Sequence, residues 1–494
     1  MPTAARIRAG MTDTVPPAAS NRVSVWLPLL VGLAAFAPTL GWARHVLHDP
    51  DIYLHVAVGR WIVAHHAVPH HDLFSYSMPG APWVPHEWLA EVIMAVLRDG
   101  FGWAALVVMA AFCFALALVL LQRALMRYVE PAYALIGTVM AAGLCFPHLL
   151  ARPHAFSLPL MVAWVAMLVA AAHRRAAPPL LGCLLMVLWA NLHSGYIIGL
   201  MLAVLFAGEA VINAPDRDAA ARAARDWAIF GALAVVASLV TPNGIAGLKL
   251  PFDLIRMNYG LAFVAEWQSP NFQIAQPLEP WLMLVLLGAL TLGVRIPVTR
   301  IAMFFVLLHV ALQHQRLGEV LGLVAPLLVA PALGPQLNRH AIPALGRWFA
   351  DRSAVGYGAL VGVVVLALGA VATRIGVEND EGTFAPRAAI TAAVAQHAAG
   401  PVFNDINFGD YLIYSGAAPP LIDGRIDMYG DALLKRYAQL GEFTKLVDQY
   451  GIGWALLTPN NNHIPLLDNL PGWQRIYKDQ YAVVYLRDTG PLAR

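Results

Sequence analysis

Runs of apolar residues separated by short polar turns fill the chain from about residue 24 to residue 374. A bilayer core asks for about 20 apolar residues per helix, with roughly 17 to 25 tolerated. Runs of that kind fall at 24–44, 101–122, 131–149, 155–172, 178–193, 195–213, 227–241, 280–294, 299–314, 317–334 and 354–374. The pattern therefore predicts about eleven membrane-spanning helices, an odd number that puts the two ends of the chain on opposite sides. Arg123 and Arg127, Arg174 and Arg175, Arg217, Arg222 and Arg225, Arg295 and Arg300, and Arg339, Arg347 and Arg352 then all fall on the side of the amino terminus. The positive-inside rule makes that side cytoplasmic and the carboxyl terminus external.

Three stretches depart from this pattern. Residues 1–23 are polar and rich in Ala and Pro, as expected of a disordered cytoplasmic tail before a retained anchor. Residues 45–99 form a long external loop with acidic residues, histidines and tryptophans on two amphipathic runs. After the membrane region, 24–375, the stretch 376–494 changes character. GPVFNDI, PPLIDGR, IGWALLTP, WQRIYKD and YAVVYLR read as short strands bounded by Gly, Pro, Asn and Asp, and DALLKRYAQLGEFTKLVDQY has helical periodicity. Strands alternating with helix predict a small external α/β domain. The fold class expected is thus an α-helical polytopic membrane protein with a small C-terminal α/β domain.

Composition supports this and excludes other classes. With 494 residues, 59% hydrophobic, 13% charged and a mean hydropathy of +0.61, the chain has too much apolar side chain for water to cover. The formal charge of +2 gives no broad basic face for nucleic acid. Cys113, Cys145 and Cys183 all lie in apolar runs and imply no disulfide framework. There is no tandem repeat and no phosphate-binding glycine loop.

The candidate chemistry lies on the external side. Asp49 and Asp51 flank Pro50 just after the first span, and a helix starting there places Asp51 and His55 one turn apart on one face. Paired carboxylates suit a general base, a divalent cation such as Mg2+ or Mn2+ held by Asp49, Asp51 and His55, or both; Asp before a helix also suits capping. His86 and Glu87 open the second amphipathic run, with Glu91 one turn further, either completing the same pocket or forming a solvated face. His65, His66, His70 and His71 lack cysteine partners or a two-ligand helix motif and read as headgroup-facing. Arg152 with His154, Asn191 with His193, and His314 with Arg316 sit in very short external turns, where a charge near hydrocarbon costs about 2.5–3.5 kcal/mol at mid-depth unless partnered. Arginine and histidine so placed suit a lipid phosphate, interfacial snorkelling being the plainer role. Lys249 and Arg256 offer the same chemistry, and Glu266 suits either a sugar contact or an interfacial turn. Asp405, Asp410, Asp423, Arg425 and Asp427 suit contacts to an acceptor glycan but read mainly as turn residues.

On His48-Asp49-Pro50-Asp51, the helices after it and the many-span plan, the chain resembles the GT-C superfamily of membrane glycosyltransferases. It is also similar, through WANLHSG, TPNG, AEWQSP, QHQR and FNDINFGDYL…IDGRIDMYGD, to bacterial membrane proteins of that type that carry no assigned substrate. It lacks the WWD-type acceptor signature of oligosaccharyltransferases, which argues against protein N-glycosylation. The resemblance implies a transferase that moves a sugar from a polyprenyl-phosphate donor to an envelope glycan, lipid or protein acceptor at the periplasmic face of the bacterial inner membrane, with inversion. Asp49 or Asp51 would be the base, and Arg316 with His314 or Arg152 would neutralise the departing phosphate. A ligase of whole lipid-linked glycans remains open. A transporter or flippase is disfavoured because helix interiors hold almost no acid or base and no half is repeated. A scaffold would leave the first loop dispensable.

Overall fold

The computed structural model describes residues 26–257, 259–338, 354–374, 377, 379 and 381–488. The expected tail at 1–23 and Arg339, Arg347 and Arg352 lie outside the described residues. A helix stands at each position where a span is expected: α1 Trp26–Gly41, α5 Trp103–Leu125, α6 Pro131–Cys145, α7 His154–His173, α8 Cys183–Leu192, α9 Tyr196–Ile212, α10 Arg217–Ser238, α13 Leu278–Thr291, α14 Val298–Gln313, α15 Gly318–Leu337 and α16 Ala354–Arg374. Among the described residues three helices are long and apolar enough to cross a membrane by length and composition, Trp103–Leu125, His154–His173 and Gln315–Leu337. The chain is a helical membrane protein. Phe112, Ile136, Val204, Leu290 and Val298 are exposed on helix surfaces, an arrangement that water would penalise and lipid would not.

Between the spans lie α2 Ala43–Val46, α3 Asp51–His65, α4 Trp88–Phe101, α11 Gly244–Ile255 and α12 Gly260–Phe263. One expectation needs correcting here. The basic segment 217–226 was read as a loop before a span at 227–241, but α10 begins at Arg217, because the Asp216 carboxylate accepts the Ala219 amide (2.7 Å) and caps the helix ten residues early.

The carboxyl-terminal part comprises α17 Arg387–Ala395, β1 Val402–Asn404, α18 Ile406–Ser415, α19 Ile426–Ala438, α20 Phe443–Tyr450, β2 Trp454–Leu457, α21 Ile464–Asn469, β3 Trp473–Lys478 and β4 Val483–Arg487. Its sheet has the order β1-β2-β4-β3, with β1 parallel to β2 and the other pairs antiparallel. PPLIDGR is not a strand. The Asn404 amide instead bonds both the Leu421 N–H (2.8 Å) and the Ile422 carbonyl (2.7 Å), satisfying the backbone of a buried irregular segment.

This part packs directly on the first loop. Leu54, Val58, Ile62 and Trp83 share a core with Phe403, Leu421, Ile422 and Tyr485. At its edge Arg425 bonds Asp72 (2.7 Å) and Asp423 (2.6 Å), all three buried, and Tyr429 donates to Asp423 (2.6 Å). The guanidinium also lies over Trp83, 4.8 Å from the ring centre. The Arg425–Asp72 pair thus ties the carboxyl-terminal part to the first loop across most of the chain.

Candidate active site

Helix α3 starts where sequence chemistry demands. Asp49 accepts the Asp51 amide on Oδ1 (2.8 Å), a capping bond that fixes the first turn. One turn separates Asp51 from His55, and a further turn brings Gly59, where an added Cβ would lie 2.0 Å from the Glu91 carbonyl oxygen. Only glycine admits that approach of α4. It sets His55 against Glu91, Nδ1 to Oε1 3.3 Å, and Glu87, Nε2 to Oε2 3.7 Å.

From this pair of helices a continuous chain of charge runs through four distant turns. Arg152, in the turn before α7, pairs with Asp49 and reaches Asp51 (3.4 Å) and Glu266 (3.2 Å). Glu266 faces Arg316 at 3.7 Å. Arg316 stands 3.4 Å from His193 Nε2, which is itself 3.4 Å from Glu87. The circuit closes on α3.

Neutral partners hold the ring in place. The Gly195 N–H donates to His193 Nδ1 (2.9 Å), so that nitrogen is an acceptor and Nε2 carries the ring proton toward Glu87. Ser157 lies 2.9 Å from the same Nδ1 and accepts the Trp189 indole N–H (2.7 Å). Asn191 accepts the Trp88 indole N–H (2.8 Å) and donates to the Val240 carbonyl (2.8 Å), tying α4 to α8 and α10. His86 lies 3.7 Å from Glu87. His314 Nδ1 bonds the Trp267 carbonyl (2.6 Å) and so positions the Glu266 turn. His148, His154, Glu266, Arg316 and Glu319 line a small cleft beside the ring.

The electrostatics divide the carboxylates by role. Asp51 has a third of its side chain accessible yet lies deep in protein, and burial raises it to about 6 against the opposing pull of His55. Burial alone would push His55 down, but the Glu91 hydrogen bond and the Glu87, Glu91 and Asp51 charges outweigh it and raise the ring to about 9. Burial likewise raises Glu91, against the pull of His55. Glu266 goes the other way: burial opposes its ionisation, but Arg152 and Arg316 hold it below the ordinary carboxylate range. Burial brings Arg152 down only to about 10, which leaves it cationic at neutral pH.

These facts test the expected divalent cation at Asp49, Asp51 and His55, and the three do not fit one. Asp49 is occupied by the Arg152 guanidinium, and both ring nitrogens of His55 face Glu91 and Glu87 rather than the aspartates. Among the described residues no group of three His, Cys, Asp or Glu side chains is placed to hold a metal ion.

All twelve residues expected from sequence, Asp49, Asp51, His55, His86, Glu87, Arg152, His154, Asn191, His193, Glu266, His314 and Arg316, lie in or against this ring. Lys249 and Arg256 do not: both are exposed on α11 and pair with Asp253. Asp405 is structural, capping α18 through the Asn407 amide (3.1 Å) and accepting Thr458 (2.6 Å) and Asn461 (2.9 Å). Asp410, expected mainly as a turn residue, lies instead within α18 and beside the ring. It is fully buried, takes the Gly424 amide on Oδ1 (2.9 Å) and has no hydrogen-bond partner on Oδ2. A Cβ at Gly424 would meet Asp410 Oδ2 at 2.8 Å and Asp51 Oδ1 at 3.0 Å, so the two carboxyl groups crowd one glycine. Burial, then the neighbouring Asp51, pushes Asp410 well above the carboxylate range.

No protein-family model matches the chain, and no curated protein matches it. Solved structures share the fold of this chain. It is similar to the archaeal oligosaccharyltransferase AglB from Archaeoglobus fulgidus, in complex with an inhibitory peptide and a dolichol-phosphate, with a TM-score of 0.55 and 11% identity over 87% of this chain and 69% of that one. It also matches ArnT from Cupriavidus metallidurans, bound to undecaprenyl phosphate (TM-score 0.46) and in the apo state (0.48), each at 15% identity over 93% of this chain and 97% of that one.

Proposed function

We propose that the protein is a GT-C glycosyltransferase that moves a sugar from a polyprenyl-phosphate donor to a hydroxyl of an envelope glycan, lipid or protein, at the periplasmic face of the bacterial inner membrane. The chain would cross the membrane about eleven times, with 1–23 inside and 376–494 outside. One observation carries this reading: a single ion-pair circuit joins the carboxylates after α1 to guanidinium groups from two distant turns. Its fold likeness to an oligosaccharyltransferase in complex with a dolichol-phosphate agrees in kind.

In the proposed step Asp51 takes the proton of the acceptor hydroxyl as the new bond to the anomeric carbon forms. The bond from that carbon to the donor phosphate oxygen breaks, and the polyprenyl phosphate leaves with the electron pair. A single displacement inverts the anomeric centre. Arg316 and Arg152, both paired with Glu266, stabilise the charge that develops on the phosphate. Asp49 anchors Arg152 and α3, and Glu266 spaces the two guanidiniums.

The test is incubation of the purified protein with radiolabelled polyprenyl-phosphate sugars and membrane extract, with and without chelator. Transfer that depends on Asp51 and is unchanged by chelator is the expected result. No transfer from any such donor by a folded protein would overturn the reading, and transfer only of preassembled lipid-linked glycan would favour the ligase.

A further inference from the structure

A cavity of about 360 Å³ lies between α5 and α7 at their far ends from the candidate site. Both helices begin near the ring and run away from it, and 20 residues of α7 carry the chain about 30 Å. Ala163, Ala166 and Ala170 recur on one face of α7 opposite Leu120 and Ala124 of α5, and these short side chains leave the space open. Its rim is basic: Arg123 lies in the last turn of α5, Arg127 just past it, and Arg174 follows α7. Among the described residues none of the three arginines makes an ion pair with a carboxylate.

Three guanidiniums converging at the edge of an apolar trough ask for an anion, and the trough asks for hydrocarbon. A free phosphate would satisfy the rim and leave the alanine floor wet. We propose that this cavity binds an anionic phospholipid, its phosphate between Arg123, Arg127 and Arg174 and one acyl chain along Ala163, Ala166 and Ala170. The site is separate from the transfer reaction and does not depend on it.

The experiment is native mass spectrometry of the full-length protein, delipidated in detergent and titrated with dioleoyl-phosphatidylglycerol or dioleoyl-phosphatidylcholine. Wild type is expected to retain the anionic lipid preferentially, and Arg123→Gln with Arg127→Gln and Arg174→Gln to weaken that retention on the order of 100-fold, since each basic residue contributes roughly fivefold near a lipid surface. Ala166→Leu keeps every arginine, fills the floor and is expected to lose the lipid too, which guards against misfolding of the triple variant. Arg217→Gln with Arg222→Gln and Arg225→Gln, outside the cavity, is expected to change retention little. Equal retention of the two lipids, equal loss in the outlying variant, or displacement by inorganic phosphate would each overturn the proposal.

Discussion

At the scale of single residues, Asp49 and Asp51 separate although the sequence treats them alike. Asp49 is buried, caps α3 and holds Arg152, whereas Asp51 keeps an accessible oxygen. Asp51→Asn is therefore expected to cut transfer by about 10²–10⁴-fold with unfolding unchanged, while Asp49→Ala lowers the thermal midpoint as well, because it removes the buried partner of Arg152 and the acceptor of the Asp51 amide. The raised Asp51 must lose its proton to act, so kcat/KM is expected to climb with pH through about 6 and to fall below it. Asp410, held protonated by burial, carries no charge through that range, so Asp410→Asn is expected to leave that limb in place; a limb moved to lower pH would make Asp410 a charged neighbour of the base. The arginines and histidines of the short turns were legible because charge beside apolar runs demands a partner. Asp410 was legible only as one acid of a turn-rich cluster: its closeness to Asp51, 359 positions away, leaves no local signal.

At the scale of elements, each long apolar run marked the position of a helix, since a continuous apolar stretch has to be buried along its length. The start of α10 was missed because Arg217, Arg222 and Arg225 hide a helix that a single capping aspartate initiates. The α3–α4 crossing turns on Gly59. Gly59→Ala would force Cβ into the Glu91 carbonyl, with an expected loss of about 1–3 kcal/mol and a matching drop in thermal midpoint in detergent. The same crossing holds His55 protonated between acids. Its folded pKa of about 9 exceeds the ordinary 6.5, so its contribution to stability is complete below about 6.5 and is lost as pH rises through about 9. A pH series of unfolding midpoints, flattened in that window by His55→Gln, checks this.

At the scale of the molecule, no periodicity announces that the first loop and the carboxyl-terminal part share one core, since their contacts join residues near 72 to residues near 425. Arg425→Met would leave Asp72 and Asp423 buried without a cation, at an expected cost of about 3–5 kcal/mol, and limited proteolysis should then release the carboxyl-terminal part intact. The ring has a kinetic corollary. At rest Arg152 spends its charge on three carboxylates, Asp51 among them. An incoming donor phosphate competes for that guanidinium and frees the base, so a nucleophile that arrives first, water included, meets a muted oxygen. Such an enzyme would admit its two reactants in a compulsory sequence, lipid carrier leading, and would squander little activated sugar to hydrolysis.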